Sequence, residues 1–290
     1  MTTGIAISSI KPNVLKAFKA PFYYILVFDG SASFSVDFTK YACEGKSLLF
    51  LSPYQFLEWQ EFSAMKVECI QFHGDFYCIE YHKKEVACNG VLFNNIYQQP
   101  YVQVESQVFD EILMIIERLS NMNNIENEYD ISIAKSYLQL ILALSSKEKK
   151  MQIKSPELEE GQFENMAQFI NILESHFWHS KEVSFYASKF GISVNSFSKR
   201  IKKYFGKPPS KLIQERIVLE AKKLLHLTHK PIKEIAAQVR FEDEFYFSRY
   251  FKKEVGVSPK QYREKVGISI VAKSSRSKPL LCICTLLLIL

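Results

Sequence analysis

The chain lacks the marks of several large protein classes. Its six cysteines, Cys43, Cys69, Cys78, Cys88, Cys282 and Cys284, follow no framework spacing. A chain of 290 residues does not need disulfide staples either, so a reducing cytoplasm is the expected location. Met1 to Ile10 offers neither a basic segment nor an apolar core, and no secretory signal is expected there. The apolar run Leu280 to Leu290 is about half the ~20 residues that a spanning helix requires, so residues 267–290 read as a tail and no membrane partner is expected. His73 and His82 stand nine apart without a His-x-His partner, and His73 beside Gly74-Asp75 reads as a turn residue, so no metal is expected. No Ser/His/Asp, Cys/His, phosphate-loop or paired-carboxylate constellation occurs, and neither an enzyme nor a cofactor is expected.

What is present is apolar content and an uneven charge. Hydrophobic residues make up 47% of the chain, enough to fill two cores and to exclude disorder. The net charge is only +6, but residues 181–264 hold 19 Lys/Arg against 9 Asp/Glu, which leaves the remainder slightly acidic. A basic C-terminal part points to a polyanion, because lysines and arginines that neutralise phosphates release condensed counterions.

Short β-rich runs come first: Phe22–Phe28, Ser31–Phe38, Lys46–Leu51, Lys66–Phe72 and Phe76–Tyr81, separated by Asp29-Gly30, Glu44-Gly45 and His73-Gly74-Asp75. Such spacing predicts a barrel or sandwich. The period then changes to a helical one at Val108, Ile112, Ile115, Ile116 and Leu119, and again at Ile133, Tyr137, Leu138, Ile141 and Leu142. From Ser145 to Gly161 the chain is rich in Lys, Glu and Ser with Pro156 inside, and the domain boundary is expected there. The fold class expected is α+β: an N-terminal β-barrel with two helices over 1–150, a linker at 151–161, and an all-α domain over 162–266. A first helix of that domain is expected to bury Phe163, Met166, Ile170, Leu173 and Phe177.

The all-α part contains a doubled motif. Phe197-Ser198-Lys199-Arg200-Ile201-Lys202-Lys203-Tyr204-Phe205-Gly206 matches Phe247-Ser248-Arg249-Tyr250-Phe251-Lys252-Lys253-Glu254-Val255-Gly256 at an offset of fifty, and Pro209 matches Pro259. Val183, Tyr186 and Ala187 match Ile232, Ile235 and Ala236. Two copies are too few for a solenoid and mean two related modules. Each reads as helix, tight turn, helix: Gly191 permits a positive φ, Ser193 caps one second helix and Asp243 the other. Phe197, Ile201 and Phe205 point inward in the first copy, Phe247 and Phe251 in the second. The outward residues Asn195, Ser198, Lys199, Lys202 and Lys203 suit a helix in the major groove, with polar groups for base edges and cations for phosphates. A helix from Ser210 to Leu225 joins the copies and is expected to span roughly 25 Å, so that one chain spans successive major grooves.

These residues resemble the AraC family of bacterial transcription regulators over Phe163 to Arg263. The resemblance is carried most strongly by Ile235-Ala236, Phe241-Glu242-Asp243, Tyr246 to Lys253, and Gly256-Val257-Ser258-Pro259-Lys260-Gln261-Tyr262-Arg263. It implies a pair of helix-turn-helix motifs joined by a linker helix, promoter DNA and RNA polymerase as partners, and an activator's role. By position, Asn195, Ser198 and Lys199 take the places of base-reading residues in the first motif, and Glu244, Phe245, Ser248 and Arg249 in the second. Lys202, Lys203, Arg240, Lys252 and Lys253 are the phosphate-contact candidates. Two residues depart from the family pattern. Arg240 stands where Gly is usual in the second turn, and Phe245 replaces a small polar residue, either to meet a thymine methyl or to pack inward.

The N-terminal half resembles, by layout alone, the cupin-like regulatory domain of that family. Phe22, Tyr23, Tyr24, Phe50, Phe56, Trp59, Phe72 and Phe76 either line a small-molecule effector pocket or form plain core. Its helices offer apolar faces to a homodimer partner. The competing readings are an enzyme built on the barrel, and an interaction protein whose helical motifs no longer bind DNA.

Overall fold

The computed structural model describes residues 4–10, 17–37, 39–64, 66–78, 91–122, 127–153 and 160–267. Within them run β1 (Ile5–Ile10), β2 (Ala17–Phe18), β3 (Tyr23–Asp29), β4 (Ala32–Val36), β5 (Thr39–Cys43), β6 (Lys46–Leu51), β7 (Leu57–Phe62), β8 (Val67–Phe72) and β9 (Tyr101–Gln103). The helices are α1 (Ser106–Ser120), α2 (Glu128–Ile153), α3 (Glu160–His176), α4 (Val183–Lys189), α5 (Val194–Phe205), α6 (Pro209–Leu227), α7 (Ile232–Gln238), α8 (Glu244–Val255) and α9 (Pro259–Val266). The chain divides into two compact units, Met1–Ile217 and Val218–Leu290.

In the first unit the strands form two antiparallel sheets, ordered β1-β8-β3-β6-β9 and β2-β7-β4-β5. The continuous apolar run of β3 follows from its place between β8 and β6, where both faces are covered. Leu26 and Phe28 turn toward Phe34, Val36 and Leu57 of the smaller sheet. Ile25 and Val27 turn the other way, toward Ile112, Ile116, Leu138 and Leu142 of α1 and α2. Strand alternation thus divides one hydrophobic strand between two cores. The Tyr101 hydroxyl crosses the stack to donate to the Ala42 carbonyl at 2.8 Å.

The expected barrel is corrected to two open sheets: no strand pairing joins them among the described residues, and the short β2 and β9 end the ladders. The strand expected at Phe76–Tyr81 is not one over residues 76–78, where Phe76 sits in the turn after β8 and packs its ring into the helix-facing core. Residues 79–81 and His82 lie outside the described residues, as does the tail beyond Gly267.

α1 buries the expected stripe of Ile112, Ile115, Ile116 and Leu119, with Phe109 added. α2 buries Ala134, Leu138, Ile141 and Leu142 but leaves Ile133 exposed, against expectation. It also runs through Ser145 to Ile153, where irregular chain was expected. The polar residues responsible are satisfied in place. Ser145 Oγ donates back to the Ile141 carbonyl at 2.7 Å. Buried Lys149 extends Nζ to the carbonyls of Gln99 at 3.0 Å and Tyr101 at 2.7 Å, tying the end of α2 to β9. Burial lowers the Lys149 ammonium to about 8. No helix among the described residues is long and apolar enough to cross a membrane.

Candidate nucleic-acid interface

The first helix-turn-helix is built on aromatic packing. On α3 Leu173 and Phe177 point inward as expected, while Phe169 takes the buried place expected for Ile170, which is only half-buried; the side chains of Phe163 and Met166 lie outside the described set. Phe169 faces Tyr186 of α4 at 6.2 Å, and Phe197 and Phe205 of α5 at 5.8 and 5.5 Å. Buried Ala187 lets α5 approach α4. The turn between them passes through Gly191 at φ +63, left-handed backbone that glycine enters without a Cβ penalty. Ser193 then caps α5, its Oγ accepting from the Ser196 amide at 3.2 Å. With Phe197 and Ile201 buried, the 3.6-residue period leaves Asn195, Lys199, Lys202 and Lys203 exposed and Ser198 half-buried on the opposite face.

Three residues distant in sequence fasten this motif within the first unit. The Arg216 side chain of α6 donates through Nε to both Glu174 oxygens at 2.9 Å, and its guanidinium lies 3.8 Å from the Phe177 ring centre. The Tyr97 hydroxyl, from the loop before β9, donates to Glu174 at 2.6 Å, and the Tyr97 ring stands 6.0 Å from that of Phe205. Burial, then the bond to Glu174, raises the Tyr97 phenol far above its ordinary range. Beside this group, Lys207 pairs with Glu215 at 3.0 Å. Burial raises the Glu215 carboxyl even though Lys207 opposes the shift.

The second unit repeats the motif with different chemistry. α7 buries Ile235 and Ala236, and Val239 follows. Arg240 then takes φ +60, the same left-handed conformation as Gly191, so the turn geometry is kept in spite of the Cβ. Asp243 caps α8, accepting from the Tyr246 amide at 2.5 Å. Phe247, Phe251 and Val255 point inward. The signature residues beyond are structural: Ser258 and Gln261 close a capping box on α9, Pro259 begins the helix, and Tyr262 meets the Phe251 ring edge-on at 5.6 Å. Outward on α8 stand Phe245, Arg249, Lys252 and Lys253, with Glu244 and Ser248 half-buried, and Arg240 is exposed beside them.

Each unit therefore presents a capped, rigid helix whose inner face is phenylalanine and whose outer face runs from uncharged or acidic groups at the N-terminus to lysines at the C-terminus. That order places side chains for base edges where a helix end enters the groove, and cations where the backbone passes. Two exposed residues escaped the sequence reading, Val194 at 43% and Tyr246 at 55% exposure. Val194 falls on the Phe197/Ile201 stripe by helical period, so its exposure in the first turn of α5, directly after the cap, had no spacing signal. The Tyr97–Glu174–Arg216 group had no sequence signal, since its members are 42 and 77 positions apart.

Residues 186–265 match the family model described as a helix-turn-helix domain. The transcriptional activator RhaR of Cronobacter sakazakii is 25% identical over 211 residues, 71% of this chain and 72% of that protein. The activator RhaS of Escherichia fergusonii is 21% identical over 178 residues, and the chain spans 60% of its length. Among solved structures, the C-terminal domain of the response regulator yesN from Fusobacterium nucleatum is 35% identical, over 35% of this chain and 99% of that one, with a TM-score of 0.33. ToxT from Vibrio cholerae is 16% identical over 91% of this chain and 98% of its own, with a TM-score of 0.40. The class defined by these helices and matches is the helix-turn-helix protein. Residues 186–265 form a helix-turn-helix domain of the AraC type.

Proposed function

We propose that the chain is a sequence-specific, double-stranded-DNA-binding transcription regulator in which α5 and α8 each enter a major groove. The observation that carries the reading is the shared build of those two helices: side-chain cap, phenylalanine inside, base-compatible groups and then lysines outside. Asn195, Ser198 and Lys199 read bases from α5, and Glu244, Phe245, Ser248 and Arg249 from α8. Lys202, Lys203, Arg240, Lys252 and Lys253 meet phosphates. In this reading residues 162–266 are the DNA-binding domain, joined by the linker 151–161 to a regulatory domain over 1–150. The protein acts in the cytoplasm as an activator with RNA polymerase as its partner, and without catalysis.

The regulatory half works through a second copy of the chain or a small effector. Support for the second copy comes from α2, where exposed Tyr129, Ile133, Leu140 and Met151 fall within about 40° of one another at 3.6 residues per turn. An apolar stripe of that kind on a water-facing helix fits self-association, and linked reading domains gain avidity. The test is a gel shift of the full chain on DNA upstream of its own gene, with Ile133→Glu and Leu140→Glu compared by sedimentation. Failure of every fragment to bind below micromolar at low salt overturns the DNA reading. Unchanged sedimentation and binding in both variants overturns the dimer.

A further inference from the structure

The second unit carries a large apolar side chain that its own fold does not use. Phe245 is 76% exposed, the most exposed phenylalanine among the described residues. The aromatic residues around it are engaged with one another, Phe241, Phe247 and Phe251 being buried. Phe241 gathers the rings of Tyr246, Phe247 and Tyr250 at 5.7, 5.4 and 5.0 Å, and Phe251 closes on Tyr262 at 5.6 Å. None of these ring pairs includes Phe245. It occupies the second position of α8, two residues after the Asp243 cap, with Arg249 one turn behind on the same exposed face and Lys252 and Lys253 about two turns behind. At the equivalent place in α5, two residues after the Ser193 cap, stands exposed Asn195.

The chemistry at that place differs sharply between the two helices. A carboxamide pairs with the N6/N7 edge of adenine, whereas a phenyl ring has neither donor nor acceptor. Set against a polar base edge, the ring would strip water from hydrogen-bonding groups and leave them unpaired. The one apolar group in the major groove is the C5 methyl of thymine. We infer that Phe245 is a specificity-determining residue that reads a thymine C5 methyl in the half-site of α8, while Asn195 reads adenine in the half-site of α5. The two half-sites are therefore unlike in sequence. This inference rests on the DNA-binding reading above.

The full chain is first used to select duplexes from a random-sequence pool. Each thymine of the selected site is then replaced singly by deoxyuridine, which keeps the base pair and removes only the methyl. At one or two adjacent positions the replacement weakens wild-type binding about fourfold, the equivalent of one buried methyl-sized group. Phe245→Ala loses that sensitivity at those positions, Phe245→Leu retains part of it, and Arg249→Ala keeps it. If a site is selected but no deoxyuridine distinguishes wild type from Phe245→Ala, the inference is overturned and the regulator reading stands. The inference also fails if Phe245→Ala binds every duplex as wild type does yet loses transcription, since the ring then faces a protein. Failure to select any site overturns the regulator reading itself.

Discussion

Lys149 joins α2 to the sheet at the cost of a buried charge, and that cost sets a stability profile with pH. Lys149 is 3% exposed and its ammonium donates to neutral carbonyls, so burial lowers it from 10.5 to about 8. The unfolded chain holds this proton more tightly than the native one. Below pH 8 the full penalty applies, about 3 kcal/mol for a shift of this size at 1.36 kcal/mol per unit. Between pH 8 and 10.5 the native amine is neutral while the unfolded one is still charged, so stability rises with pH through that window. From pH 7 to pH 10 the gain is about 2–3 kcal/mol. Lys149→Met keeps the length of the side chain and removes the titration. The assay is urea unfolding of both proteins at pH 7, 8, 9 and 10. Tyrosines titrating in the same range cancel in the difference, which is expected to move in favour of wild type as pH rises. A difference that stays flat, or falls, refutes the buried-charge account of α2.

Arg240 holds a left-handed conformation that costs a non-glycine residue about 1–2 kcal/mol, partly offset by glycine's greater unfolded-state entropy, so Arg240→Gly is expected to raise stability by up to about 1 kcal/mol while weakening binding to all DNA alike. Thermal unfolding and competitor titration check the two halves of that statement. Asp243→Ala removes the α8 cap and is expected to cost about 1 kcal/mol, read by urea unfolding, whereas Asp243→Ser restores most of it. Lys199→Ala and Arg249→Ala are each expected to lose about 1–3 kcal/mol on the specific site and little on random DNA. Lys202→Ala should weaken both equally and reduce the salt slope by about one; equal losses on random DNA for all three substitutions would remove the base-reading assignment.

The reading helices were legible because their signals are local. A serine or aspartate cap, a glycine-type turn and phenylalanines spaced three and four apart each act within one or two turns of chain, and the repeat displays them twice. The period places Phe245 opposite Phe247 and Phe251, as it places Asn195 opposite Phe197, but period alone does not tell what an outward phenyl ring meets. Strands were legible where the tertiary setting made them apolar throughout, as in β3 and β6. β7 was missed because Glu58, Gln60 and Glu61 give a strand with one solvated face little apolar content. The end of α2 was missed for the opposite reason. Ser145 and Lys149 are polar residues whose burial depends on hydrogen bonds to α2 itself and to the chain around β9, and no spacing rule reveals partners about fifty residues away.

The central claim is that two helices of this chain read DNA by sequence. Its most direct test is equilibrium competition between a selected duplex and random duplex for the full chain at 150 mM salt. The account predicts a preference of at least about 10³ for the selected duplex, with the preference reduced by both Lys199→Ala and Arg249→Ala. Equal affinity for the two duplexes, or a preference that neither substitution alters, contradicts it.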